Sequence, residues 1–113
     1  MPVDIPNTID LVAQGEQGDM QLIISDHLDW EKSVDHQLIL QTKLNSYLRF
    51  IESGELFDKF PMAQNNPFWV EIVFQHGPDS DGRVFLERAK SIFGEAGFLL
   101  THRVFGENRD RSN

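Results

Sequence analysis

The apolar positions change period along the chain, and each change marks a new element. Ile9, Leu11 and Ala13 alternate with Asp10, Val12 and Gln14, and Met20, Leu22 and Ile24 alternate with Gln21, Ile23 and Ser25. A period of two is the mark of a strand, and the glycine-bearing stretch 15–19 between the runs reads as a hairpin loop. From Val34 the spacing lengthens. Leu38, Leu40, Leu44, Tyr47, Leu48 and Ile51 gather on one broad face of a helix of about twenty residues. Ser33 or Asp29 is placed to cap its start, and Gly54 stands where a left-handed residue would end it. Ile39 and Phe50 fall on a narrow second stripe. The connector 55–67, with Leu56, Phe57, Phe60 and Met62, is expected to cover that stripe, with a turn of helix before Pro61.

Aromatic and β-branched residues crowd the stretch 68–76, FWVEIVFQH, the strongest strand signal in the chain. Phe68, Val70, Ile72 and Phe74 share one face, and Trp69, Glu71, Val73 and Gln75 the other. A polar loop then supplies caps for a second helix over 83–96. There Phe85, Ala89, Ile92, Phe93 and Ala96 form the apolar face, and Gly97 stops the helix. The last strand is expected over 98–105, followed by a polar disordered tail at 106–113. The order ββαβαβ predicts an α+β two-layer sandwich: a four-stranded mixed sheet with two helices on one face. One domain over 1–113, with an ordered core at about 8–105, fits this length.

Composition narrows the chemistry. There is no cysteine, hence no disulfide and no thiolate site. The N-terminus lacks the basic and apolar regions of a signal peptide, and no apolar run reaches a membrane-spanning length. A cytoplasmic protein without membrane contact is the expectation. Eighteen acidic against ten basic residues leave a net charge of −8, which opposes nucleic-acid binding; solubility is the preferred reading of that charge, and steering of a basic partner the alternative.

The turn Asp26-His27-Leu28-Asp29-Trp30, with His36 nearby, invites a metal or general-base reading. Asp26, His27, Asp29 and His36 are the candidate ligands. The same carboxylates suit a purely structural role, satisfying backbone N–H groups where a strand becomes a helix, and this reading is preferred. His76 and His102 would join a metal site if their strands pair. No phosphate-binding glycine loop and no serine nucleophile elbow occur. No catalytic residue and no cofactor are therefore assigned.

The segments ISDHLDW (24–30) and LNSYLRFIESGEL (44–56) resemble the signature of a family of small bacterial single-domain proteins of unknown function. The similarity extends over most of Ile9 to Phe105, and it implies no activity.

The sheet's second face is the more informative feature. If both helices cover one face, the other presents Val12, Ile23, Trp69, Val73, Leu99 and Phe105 among polar neighbours, a mixture typical of interfaces, with a cover formed by the N-terminal segment, the connector or the C-terminal tail as the equal alternative. With Ile39 and Phe50, these residues are the interface candidates. A non-enzymatic binding module, homodimeric in its simplest form, is the expected function. An enzyme or metal protein centred on Asp26, His27 and Asp29 is the alternative class, and an acidic inhibitor of a basic protein is a further one.

Overall fold

The computed structural model describes residues 11–14, 19–64 and 66–105. The expected lead-in, Ile9 and Asp10, most of the hairpin loop and the tail lie outside those residues. Strands β1 (Leu11–Gln14), β2 (Met20–Asp26), β3 (Phe68–Phe74) and β4 (Leu100–Val104) form one mixed sheet in the order β1-β2-β3-β4. The hairpin partners β1 and β2 run antiparallel, while β2, β3 and β4 are parallel. Helix α1 (Ser33–Glu52) joins β2 towards β3, and α3 (Ser80–Glu95) joins β3 to β4. This is the expected α+β sandwich, and its parallel part is what helical crossovers impose.

Strand parity builds the core. Met20, Leu22 and Ile24 of β2, Val70, Ile72 and Phe74 of β3 and Leu100 of β4 form one buried cluster with Leu40, Leu44, Tyr47 and Ile51 of α1 and Leu86, Ala89 and Phe93 of α3. Both long helices therefore cover the same face. The Tyr47 hydroxyl donates to the Ile23 carbonyl at 3.1 Å, so the one polar atom of this ring is satisfied inside.

Several expectations change. The turn of helix expected before Pro61 is the short helix α2 (Glu55–Lys59), and an unexpected 3₁₀ turn (Pro61–Gln64) follows it. Buried Leu56 joins α2 to the core. Val12 does not lie on the second face. Its partner in the ladder is Leu22, so it shares the helix-covered side. In so short a strand, apolar residues of both parities leave the facing to the pairing register. Val34 and Leu38 are exposed, because the buried face of α1 runs through His36, Leu40, Leu44, Tyr47 and Ile51 on the opposite side. Ile92 is exposed at the edge of the α3 face.

Helix boundaries follow their caps. Helix α3 begins at Ser80, earlier than expected, because Asp79 caps it by accepting the Gly82 N–H at 2.7 Å. It ends in a Schellman arrangement: Gly97, at φ 93°, donates to Gly94, and the Phe98 N–H reaches the Phe93 carbonyl. That closure keeps Phe98 and Leu99 outside β4. Helix α1 has no side-chain cap, contrary to expectation for Ser33 and Asp29. Gly54, at φ 90°, follows its last turn as expected.

Candidate functional site

The alternation of β2 places Asp26 on the same face as Met20, Leu22 and Ile24. The spacing of α1 places His36 one turn before Leu40 on its buried face. Two polar side chains thus enter the core from different elements, and they meet. Asp26 Oδ2 lies 2.6 Å from His36 Nε2, with the residues 0% and 2% exposed. Asp26 Oδ1 accepts the Leu28 N–H at 3.0 Å, and His36 Nδ1 lies 3.0 Å from the Asp29 carbonyl.

These contacts settle the proton inventory. A carbonyl oxygen brings no proton, so Nδ1 must donate to Asp29. The 2.6 Å contact needs a proton as well, held by Oδ2 or Nε2. Either way the pair carries one bridging proton and no net charge, which removes most of the cost of burying it. Burial pushes the Asp26 carboxyl above its ordinary range. The hydrogen bond and charge of His36, the Leu28 amide and the charge of His27 oppose that rise without cancelling it.

Trp30 closes the pair from above. Its ring stacks on His36 with centroids 3.7 Å apart, and its Nε1–H donates to the His76 carbonyl at 3.1 Å. The indole's other edge lies against Gly82, where an added Cβ would come within 2.8 Å of the ring. Ser33 Oγ donates to Asp79 Oδ1, the same oxygen that caps α3. The 26–36 segment therefore ties together the carboxyl end of β2, the start of α1 and the start of α3.

Of the four candidate ligands, the structure brings Asp26 and His36 together and holds both inside. His27 and Asp29 are exposed, and Asp29 Oδ1 accepts the Glu31 N–H. A cleft of about 450 Å³ beside them is lined by His27, Asp29, Glu31, Lys32 and Asp35, and also reaches His36. Among the described residues no group of three or more His, Asp or Glu side chains is placed to hold a metal ion. His76 is exposed at the end of β3, and the His102 ring packs edge-on against Phe74. Sequence reasoning singled out Asp26 in the turn and His36 nearby but missed their pairing, His36 lying in α1. The available signal was a polar residue at a core position in each of two adjacent elements.

A family model described as a family of unknown function, DUF6572, matches residues 1–106. The chain belongs to this family. No curated protein and no solved structure matches it. Among the described residues of this DUF6572 member, no helix is long and apolar enough to cross a membrane.

The interface candidates separate by exposure. Leu99 and Phe105, which flank β4, are 57% and 63% exposed. Trp69 and Val73 are half-buried on the sheet's second face, and Ile23 is buried there. Ile39 and Phe50 are half-buried and pack against the core cluster, and Ile39 also lines the cleft beside His27. Arg103, on the same face as Trp69 and Val73, approaches Glu71 at 3.5 Å.

Proposed function

We propose that this DUF6572 member is a non-enzymatic binding module that associates with a second copy of itself along β4. The observation that carries this reading is the pair of large, exposed apolar side chains, Leu99 and Phe105, bracketing a strand at the end of the sheet order. Exposed apolar residues set beside a strand edge are the usual material of an interface. The preference over an enzyme has a second support. Asp26 and His36, the best-placed pair for acid–base work, spend their hydrogen-bonding capacity on each other and on the adjacent backbone.

Magnitudes set the expected strength. Covering the half-exposed Leu99 and Phe105 of both copies contributes about 4 kcal/mol, taking about half of a full side-chain burial for each. Association costs about 4–15 kcal/mol in lost freedom before strand pairing is added. The complex should therefore depend on concentration.

Light scattering after size exclusion tests this reading. The native mass should rise with concentration from the 13.0 kDa of one chain towards twice that value. The double variant Leu99→Asp, Phe105→Asp should remain at one chain mass with unchanged circular dichroism, since both side chains are exposed. A native protein that stays at one chain mass throughout would overturn the reading.

A further inference from the structure

Resting on that reading, the geometry points to a specific arrangement: β4 pairs antiparallel with β4 of a second copy about a twofold axis at His102, extending the sheet across the dimer. Three observations converge on it.

The first is backbone direction. The Val70 N–H donates to the Leu99 carbonyl, and the Phe105 N–H donates to the Phe74 carbonyl. Residues 99, 101, 103 and 105 thus turn their main-chain groups towards β3. In a strand, alternate residues turn the other way, so the N–H and C=O of Leu100 and Val104 are directed at the outer edge of β4. Among the described residues, β4 has a neighbouring strand on one side only.

The second is the side-chain pattern. The run Leu99-Leu100-Thr101-His102-Arg103-Val104-Phe105 reads apolar, apolar, polar, His, polar, apolar, apolar, the same in both directions. An antiparallel twofold about His102 sets Leu99 against the second copy's Phe105, Leu100 against its Val104 and Thr101 against its Arg103. Like meets like on each side of the sheet. A shift by one residue would oppose side chains of opposite faces. A shift by two would set Leu99 against Arg103 or Thr101 against Phe105 and lose the apolar pairs.

The third is polar fit. The proposed register sets polar Thr101 opposite the second copy's Arg103, so neither is placed against an apolar side chain. Each Arg103 already faces Glu71 of its own chain, so bringing two arginines into one interface adds little repulsion. A twofold pairing of this kind closes on itself, so it ends at two chains without running on into a fibre.

The absence of cysteine makes the register directly measurable. Leu99 and the opposing Phe105 would form a non-hydrogen-bonded pair, with Cα atoms about 4.5 Å apart, within disulfide reach. Two single variants, Leu99→Cys and Phe105→Cys, are oxidised mildly, separately and as an equal mixture, each after a check of circular dichroism. The expected result is a cross-linked dimer from the mixture and almost none from either variant alone, because identical positions lie several residues apart along the paired strands. Cross-linking by one variant alone at the mixture's level, or none from the mixture, would overturn the proposed register. Light scattering of the unmodified protein separates the two failures. A dimer without the cross-link leaves the binding reading standing with another geometry, whereas a monomer removes both.

Discussion

At the scale of the residue, the bridging proton of Asp26 and His36 is the feature with the clearest consequences. In the unfolded chain the Asp26 carboxyl titrates near its ordinary 3.8, while in the fold it is raised. The fold therefore binds the Asp26 carboxyl proton more tightly than the unfolded chain does. The associated stability is fully present below about 3.8 and is lost as pH rises through the raised value. Asp26→Asn should remove that part of the pH dependence. Its amide nitrogen can donate to His36 Nε2 and its oxygen accept from Leu28, copying the protonated acid. Urea unfolding across pH should show a flatter profile for Asp26→Asn than for the native chain; parallel profiles would contradict the raised Asp26 carboxyl. Asp26→Leu, which leaves the buried His36 Nε2 and the half-buried Leu28 N–H without their partner, should cost about 3 kcal/mol. The pair itself was not legible from spacing within the turn. Attention fell on the neighbours Asp26, His27 and Asp29, whereas the contact joins residues placed by two different periods, one of strand and one of helix.

At the scale of the element, Trp30 couples the start of α1 to the start of α3. Gly82 sits in the first turn of α3, where alanine would normally favour the helix by up to about 1 kcal/mol. Here the added Cβ would press on the indole at 2.8 Å and on Pro78 at 3.0 Å. Gly82→Ala should therefore destabilise by about 1–3 kcal/mol. In a Trp30→Ala background the same change should cost much less. A double-mutant cycle by chemical denaturation measures the difference, and strictly additive costs would contradict the contact. The strands and both long helices were readable because their apolar periods agree with their buried faces. The facing of β1 was not, since Val12 takes its side from its pairing with Leu22. The exposure of Val34 and Leu38 was also hidden: an apolar residue near a helix start looks like core until His36 fixes which side is inward.

At the scale of the whole molecule, each chain carries a net charge of −8, so two copies repel at long range. Raising ionic strength from about 0.01 to about 0.15 M shortens the screening length from about 30 to about 8 Å. Pairing along β4 relies on apolar contact and main-chain hydrogen bonds, neither of which salt weakens much. The dimer fraction at fixed protein concentration should therefore rise over that range, as sedimentation velocity would report. A fall would mean that ionic contacts hold the copies together. The measurement that reaches the central claim most directly is residue-resolved amide hydrogen exchange at increasing protein concentration. The Leu100 and Val104 amides, directed at the outer edge of β4, should become progressively more protected, while the amides of β1, at the opposite edge, stay unchanged. Unchanged exchange at Leu100 and Val104 across a range in which the mass doubles would contradict β4 pairing.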